Sequence, residues 1–381
     1  MTRIACFFST SGHSGVDRAA GHLIPALARR GYEVDLLKVR RHGPELPEVP
    51  PGVRVIDLGS RYTYACLPAI AAYLRRELPA VLLSDKDRVN RTALFARTLA
   101  RLGPGRLAGG AAGVPTRLVF SSGTTISIDL ATRGPVERWV QRHSMGRLYP
   151  LADQVIVTSA GVADDMAAYT GLHRDLIRVV PSPVVHESLF TAELPRPAHP
   201  WFGDPATPLI LSVGELCYRK GFDTLLRAFA RVRAQRPCRL MILGRGGERT
   251  ALLALADELG VANDVALPGF VTEPYAYMAH ADLFAFTSRW EGLGFVPIEA
   301  LAVGTPVVST DCPSGPREVL ADGRYGPLVP VDDAAALARA LIATLDHPLP
   351  AEDLREAARP YAIEASTDAY LNAMGLPPCP A

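Results

Sequence analysis

The sequence predicts an α/β protein made of two Rossmann-like, doubly wound units, and three observations support this prediction. Its 381 residues are enough for two hydrophobic cores of ordinary size. Short apolar runs alternate with amphipathic segments along most of the chain, as expected for parallel strands joined by helices. A proline-rich stretch near the middle interrupts this alternation and predicts a boundary between the units.

The same pattern sets the predicted domain bounds. Residues 1–185 form the first unit, 186–207 the proline-rich linker, 208–350 the second unit and 351–381 a helical C-terminal segment. In doubly wound sheets, ligands bind beyond the carboxyl ends of the strands. Two such units joined by a hinge are therefore expected to face each other across a central cleft.

The first unit opens with the apolar run Arg3–Phe8, a loop of small residues and the periodic segment Val16–Arg30. These predict a strand, a turn and a helix. Gly12 and Gly15 would let the backbone of the loop approach a diphosphate or an acceptor, and His13 is a candidate acceptor contact. Further strands are predicted at Glu33–Leu37, Val53–Leu58, Val81–Ser84, Arg117–Phe120, Gln154–Val157 and Ile177–Val180.

The second unit repeats the alternation. Its strands are predicted at Leu209–Val213, Arg239–Leu243, Val265–Leu267, Leu283–Phe286, Val307–Thr310 and Leu328–Val329. Arg219 and Lys220 lie at the turn after the first of these strands. Two adjacent cations at such a turn fit a diphosphate, with the lysine as a point charge and the arginine as a planar fork.

The stretch 288–308 carries the strongest chemical signal. It contains Glu291, a glycine pair at Gly292 and Gly294, and a short apolar helix that includes Glu299. Glycines leading into a helix N-terminus present unpaired N–H groups and the positive end of the helix dipole, which favours a phosphate. Burying Glu299 among apolar neighbours would be costly for a carboxylate without a role.

This stretch resembles the double-glutamate signature of retaining family-4 glycosyltransferases, with seven residues between Glu291 and Glu299. The resemblance implies the GT-B fold, a nucleotide-diphosphate sugar as donor, and a last helix that packs back toward the N-terminal, acceptor-side unit. In that family the first glutamate contacts the donor sugar, the second holds the ribose hydroxyls, and the residues between them cradle the diphosphate. UDP-sugar is the donor we expect, without a further cofactor.

The resemblance extends to residue roles. It assigns catalysis to Glu291, Lys220 and Arg219; donor binding to Glu299, Gly292, Leu293, Gly294, Phe295, Gly214, Gly246 and Val271; and an acceptor or diphosphate loop to Gly12, His13 and Gly15. No metal is expected, since Lys220, Arg219 and the helix start at Gly294 supply positive charge for the departing diphosphate.

Two positions depart from the family pattern. Glu215 stands where many members have an arginine after the first glycine, and Arg219 is the candidate substitute. The loop of residues 120–125 lacks the histidine that many members place near the reacting carbon. Ser122 or Thr124 would then shape that site, or the donor or acceptor differs.

Charge is divided unevenly between the two halves. Residues 1–190 carry 24 Lys and Arg against 16 Asp and Glu, a net charge of +8, and the remainder carries a net charge of −7. Residues 135–149 form a basic amphipathic helix, so we expect peripheral contact with anionic membrane. Widely spaced cysteines and the absence of a long apolar run fit a cytoplasmic protein.

The sequence alone supports a retaining, metal-independent hexosyltransferase acting on a glycan or lipid-linked acceptor in bacterial polysaccharide or glycolipid assembly. Two alternatives stay open: a sugar-nucleotide epimerase of the same fold, and an inactive nucleotide-sugar-binding subunit. Nucleic-acid binding is disfavoured, because the basic residues are dispersed and lack interleaved aromatics.

Overall fold

A computed structural model describes residues 2–10, 15–102, 114–131, 133–204 and 206–379. The chain divides into two compact units. One contains Met1–Val184 and Ile363–Ala381, and the other contains Val185–Ala362. Each unit has its own sheet and its own hydrophobic core.

The first unit has a parallel sheet whose strands, over the described residues, lie in the order β3-β2-β1-β4-β5-β6-β7. The strands are β1 (Arg3–Phe8), β2 (Glu33–Lys38), β3 (Val53–Asp57), β4 (Val81–Asp85), β5 (Arg117–Ser122), β6 (Gln154–Val157) and β7 (Ile177–Val179). Starting in the middle and winding outward in both directions is the Rossmann topology that the alternation predicted.

The helices of the first unit cover both faces of this sheet, and core clusters lie on each side. They are α1 (Gly15–Arg29), α2 (Leu67–Glu77), α3 (Asp87–Arg101), α4 (Ile126–Asp129), α5 (Pro135–Leu148), α6 (Ala160–Thr170) and α14 (Ile363–Met374). In α1, Ala20, Leu23, Ile24 and Leu27 are buried at helical spacing, which turns one stripe toward the strands.

The second unit has a parallel sheet in the order β10-β9-β8-β11-β12-β13 over the described residues. Its strands are β8 (Leu209–Val213), β9 (Arg239–Leu243), β10 (Val265–Gly269), β11 (Leu283–Phe286), β12 (Val307–Thr310) and β13 (Leu328–Val329). Its helices are α7 (Phe222–Arg233), α8 (Arg249–Glu258), α9 (Tyr275–Ala279), α10 (Phe295–Ala302), α11 (Pro316–Val319), α12 (Ala334–Asp346) and α13 (Ala351–Ala358). The predicted pair of doubly wound units is thus confirmed.

The segments outside the two predicted units divide differently from the prediction. Residues 186–204 belong to the second unit, where Leu189, Phe190 and Phe202 are buried, so apolar side chains hold much of the proline-rich stretch in place. The C-terminal segment splits at residue 362. Helix α13 packs against α10, whereas α14 packs against α1 and fixes Arg30 through Glu364.

Candidate functional site

The turn after β8 is held tightly against the segment after β11. Gly221 has φ +63°, and a Cβ there would lie 2.1 Å from the Thr287 carbonyl oxygen. Only glycine tolerates both the conformation and the contact. Thr287 Oγ1 also donates a hydrogen bond of 2.9 Å to the Lys220 carbonyl oxygen. The two loops therefore bring Arg219 and Lys220 beside Glu291.

Glu291 forms an ion pair with each of these cations. Lys220 Nζ donates to Glu291 Oε1 at 2.6 Å, and Arg219 Nη1 lies 2.8 Å from Glu291 Oε2. Ser288 Oγ donates to Oε1 at 2.8 Å. The Lys220 and Glu291 side chains are mostly buried, so solvent screens their attraction less than it would at the surface.

The electrostatics of Glu291 follow from this arrangement. Burial acts to raise the pKa of the carboxyl group, but the charges of Lys220 and Arg219 and the hydrogen bonds outweigh it, and the net pKa is lowered. The Glu291 charge also contributes to the raised pKa of the Cys312 thiol, about 12, for which burial is the larger cause. The glutamate is therefore ionised at neutral pH, and its neighbour Cys312 is a thiol.

The glycine pair after Glu291 leads into α10, as predicted. Gly294 has φ +81° and directly precedes Phe295, the first residue of the helix. Leu293, within the loop, is buried. Glu299 lies on α10 and is completely buried. The sequence therefore places this carboxylate in an apolar helix, where a polar ligand group would compensate its desolvation.

At the carboxyl edge of the second sheet, the loop after β9 packs on the turn after β8, and the loop after β10 contacts the loop after β9. Gly244 and Gly246 allow the backbone of the turn after β8 to approach closely. A Cβ on Gly244 would lie 1.8 Å from the Gly214 carbonyl oxygen, and a Cβ on Gly246 would lie 2.2 Å from the Leu216 carbonyl oxygen. Val271 follows β10, next to Phe270, whose ring is 5.1 Å from the Arg245 guanidinium. Gly214, Gly246, Val271 and the Glu291 loop thus follow strands of one sheet at the same edge.

The structure shows the surroundings of Glu215 and of the loop of residues 120–125, the two places where the sequence departs from the family pattern. Glu215 is exposed, whereas Arg219 forms an ion pair with Glu291 Oε2. Strand β5 extends to Ser122, and Ser122, Gly123 and Thr124 line a cavity of about 600 Å³ in the first unit. Gly12 and His13 lie outside the described residues, and Gly15 begins α1.

Apart from Ser122 and Thr124, our sequence interpretation missed the residues that line this cavity. Its lining comprises Ser9, Thr10, Val16, His42, Thr63, Asp85, Lys86, Asp87, Arg88, Val89, Arg91, Ser122, Gly123, Thr124, Ile126, Asp129, Leu130, Arg133, Gln141 and Met145. Most of these residues follow the strands of one parallel sheet, so they meet at its carboxyl edge. The run of four charged residues 85–88, directly after a buried strand, was the available signal.

Asp85 is the most deeply buried charge in this lining. Burial raises its pKa from 3.8 to about 6, and a hydrogen bond from the Lys86 N–H together with the lysine charge opposes the rise. Asp87 pairs with Arg91 at 2.7 Å. Asp85 and Asp87 have Asp-x-Asp spacing, but among the described residues no group of three or more His, Cys, Asp or Glu side chains could hold a metal ion.

Two family models match the chain, one over each unit. Residues 14–183 match a glycosyl transferase 4-like domain, and residues 200–362 match glycosyl transferases group 1. A similar protein from Campylobacter jejuni is 30% identical over 357 residues, which is 91% of each chain. It is named N-acetylgalactosamine-N,N'-diacetylbacillosaminyl-diphospho-undecaprenol 4-alpha-N-acetylgalactosaminyltransferase.

Solved structures share the fold across almost the whole chain. The lipopolysaccharide outer core galactosyltransferase WaaB has a TM-score of 0.75 at 18% identity, covering 98% of this chain and 99% of that one. Anabaena HepE in complex with UDP-glucose has a TM-score of 0.73 at 19% identity, covering 98% and 99%. With the family models and the 30% identical relative, these findings establish that the chain belongs to the group 1, family-4-like glycosyltransferases and has their GT-B fold.

Proposed function

We propose that this protein is a retaining glycosyltransferase that moves a hexosyl group from a UDP-sugar to a glycan or lipid-linked acceptor in the assembly of bacterial polysaccharide or glycolipid. The ion-paired cluster of Lys220, Arg219 and Glu291 carries the proposal. The names of the relatives support it: HepE binds UDP-glucose, and the Campylobacter relative is named for a diphospho-undecaprenol acceptor.

On the donor side, Lys220 and Arg219 would hold the diphosphate. Both cations contact Glu291, so the cluster has a net charge of +1, which attracts an incoming diphosphate. Charge develops on the diphosphate as the bond to the sugar breaks, and preorganised cations stabilise that charge without reorganising. Glu291 would contact the donor sugar, and Glu299 would bind the ribose hydroxyls.

The chemistry needs no protein base in this proposal. The bond between the anomeric carbon and the diphosphate oxygen breaks, and its electron pair leaves with UDP. The acceptor oxygen bonds to the same face of the anomeric carbon, and its proton passes to an oxygen of the departing phosphate. The positive charges of Lys220 and Arg219 stabilise the negative charge on the departing diphosphate, as a metal ion would.

On the acceptor side, the cavity of the first unit fits an anionic, hydroxyl-bearing molecule. Its lining includes four cations, Lys86, Arg88, Arg91 and Arg133, against three carboxylates, Asp85, Asp87 and Asp129, together with small hydroxyl groups such as Ser122. Guanidinium groups bind phosphate oxygens through paired hydrogen bonds. A sugar attached to a lipid diphosphate combines these features, so we assign the cavity to the acceptor.

We also propose that α5 brings the enzyme to an anionic membrane. No helix among the described residues is long and apolar enough to cross a bilayer. Helix α5 turns Met145 inward, whereas Val136, Trp139 and Val140 are 74%, 60% and 43% exposed. Their spacing puts these three side chains on one outward face. In most surface helices the outward face is polar, whereas here it is apolar.

Exposed arginines lie on the same helix and just before it. Arg138 and Arg142 on α5 are exposed, and Arg133 lies just before the helix. Apolar side chains that enter the headgroup region and flanking arginines that attract anionic lipid are the features of an interfacial helix. Because Gln141 and Met145 of α5 line the acceptor cavity, contact through the outer face would bring that cavity close to a lipid-linked substrate.

Transfer assays test the main proposal. The protein is incubated with UDP-glucose, UDP-galactose or UDP-N-acetylglucosamine and an undecaprenyl-diphosphate-linked glycan, and release of UDP is measured with and without the acceptor. Acceptor-dependent release with a product of unchanged anomeric configuration supports a retaining transferase. Turnover of the sugar nucleotide that does not need the acceptor would contradict it.

A further inference from the structure

Two aromatic side chains lie beside the ion-paired cluster without a part in it. Tyr218 directly precedes Arg219, and Trp290 directly precedes Glu291. Their rings are 6.2 Å apart between centroids and inclined by 53°. Tyr218 is 60% exposed. Single exposed aromatics are common on protein surfaces, so exposure alone carries no meaning.

Tyr218 is exposed, but Arg289 contacts both its ring and its backbone. The guanidinium of Arg289 lies 4.0 Å from its ring centroid, and Arg289 also donates to the Tyr218 carbonyl oxygen. An arginine over an aromatic face gains cation–π attraction. Both the ring and the backbone of this residue are therefore held by one guanidinium.

Arg289 is itself immobilised. Its side chain is 8% exposed, and its Nη2 lies 2.8 Å from a carboxylate oxygen of Asp223 and 2.8 Å from one of Asp332. Its backbone N–H donates to the Arg219 carbonyl oxygen at 2.7 Å. Because two carboxylates hold its guanidinium in place, Arg289 supports Tyr218, and the ring needs little further ordering when a ligand packs on it.

The chemistry of the surface matches a sugar. A pyranose has an apolar face of C–H groups and a rim of hydroxyls. The ring face of an aromatic side chain is electron-rich and attracts such C–H groups. Arg219 and Glu291, which directly follow the two aromatic residues in sequence, form an ion pair that offers a donor and an acceptor for hydroxyls at the rim. An apolar platform with a few convergent polar groups is the usual composition of a small-molecule site.

We propose that Tyr218 and Trp290 form a stacking surface for a pyranose ring, preorganised by Arg289. This inference rests on the proposed transferase function, and it adds a sugar contact outside the diphosphate and ribose contacts of the donor. The pyranose belongs either to the donor or to the acceptor glycan. The chemistry of stacking is the same for both.

Four variants test the surface: Tyr218→Ala, Tyr218→Phe, Trp290→Ala and, as a control, Tyr325→Ala. Tyr325 also lies against an arginine, Arg324, at 5.0 Å, but it precedes β13 and so lies toward the opposite, amino edge of the sheet. Binding of UDP and of UDP-glucose is measured by calorimetry, and the KM for the acceptor is measured by UDP release.

Stacking on the donor sugar predicts that Tyr218→Ala weakens UDP-glucose binding by about five- to tenfold and leaves UDP binding within about twofold of wild type. Stacking on the acceptor predicts a similar rise in acceptor KM with both nucleotides unaffected. In either case Tyr218→Phe behaves like wild type, because the ring and not the hydroxyl makes the contact. Trp290→Ala acts in the same direction, and Tyr325→Ala has no effect.

Two outcomes would overturn the inference. One is Tyr218→Ala with unchanged UDP-glucose binding and unchanged acceptor KM. The other is an equal loss for UDP and UDP-glucose, which would mean that the tyrosine only supports the diphosphate turn. If wild type transfers no sugar at all, the transferase proposal fails, but the comparison of UDP-glucose with UDP still decides whether the surface stacks on the donor sugar.

Discussion

Lys220 Nζ lies 2.6 Å from Glu291 Oε1, although the two residues are 71 positions apart. They follow β8 and β11, which are neighbours in the second sheet. The pairing brings a cation and an anion to the point where a nucleotide-sugar diphosphate and its sugar are proposed to meet. Each partner can therefore be tested for a different part of the donor.

Lys220→Ala should lower turnover by about 10²–10³-fold, as removal of a preorganised charge-stabilising group does. Lys220→Arg should recover little, because a planar fork does not replace a compact ammonium at the same point. Arg219→Ala should lie between wild type and Lys220→Ala. Rates are measured at saturating donor and acceptor, with Lys38→Ala in the first unit as the control. Full activity in Lys220→Ala would show that this turn does not serve the leaving group.

Glu299→Gln should weaken UDP binding by about 1–3 kcal/mol, the range for a hydrogen bond to a charged group. The reason is that the buried carboxylate on α10 is proposed to hold the ribose hydroxyls. Glu291→Gln is the matched comparison, since it removes the same charge from the sugar end and should lower turnover more than UDP affinity. Calorimetry with UDP checks both, and UDP binding equal to wild type in Glu299→Gln would make the ribose assignment wrong.

Asp85→Asn should stabilise the protein at pH 7.5 by about 1–3 kcal/mol, since one pKa unit corresponds to 1.36 kcal/mol. Burial raises the pKa of Asp85 from 3.8 to about 6. Between these values the folded state holds a proton that the unfolded state has released, so stability falls as pH rises through this window. Above pH 6 the wild type carries the full penalty, which asparagine removes.

Urea unfolding of both proteins between pH 4 and pH 8 provides the measurement. The advantage of Asp85→Asn should be small near pH 4 and complete above pH 6, and Asp129→Asn, at the exposed edge of the cavity, is the matched control. An advantage that is constant with pH would mean that the substitution acts through packing and not through the charge.

Val136→Ser with Trp139→Ser should weaken binding to vesicles that contain anionic lipid, because the outward face of α5 would lose its apolar contacts. Arg138→Gln with Arg142→Gln should weaken it as well, and the remaining binding should depend less on salt, since exposed charges are screened over about 8–10 Å at physiological ionic strength. Co-sedimentation with vesicles of phosphatidylglycerol and phosphatidylcholine measures both effects.

Arg227→Gln with Arg231→Gln is the matched control for charge, because these exposed arginines of α7 have the same spacing in the second unit. Their removal should leave vesicle binding unchanged. Binding of the wild type that is insensitive to both lipid charge and salt would rule out this role for α5. If a variant lost vesicle binding because it dimerised through the outward face of α5, light scattering would show an increased molecular mass.

Local pattern was enough to predict most of the strands and both sheets. Runs such as Arg3–Phe8 and Leu209–Val213 could be located because a parallel strand that is buried on both faces has apolar residues at consecutive positions. The loop and helix around Gly294 and Glu299 could also be located, because glycine before a helix start and an acid within an apolar segment are local signals. The alternation of strands and helices then indicated parallel sheets with helices on both faces.

Contacts between distant residues could be decided only by the tertiary structure. Nothing local to Lys220 indicates that it pairs with Glu291, or that Arg289 supports Tyr218, since these contacts exist only when the loops after β8 and β11 fold against each other. The split at residue 362, after which only α14 joins the first unit, likewise depends on which surface buries each helix. Periodicity shows that a segment has an apolar face, but the partner that covers this face is determined by packing in three dimensions.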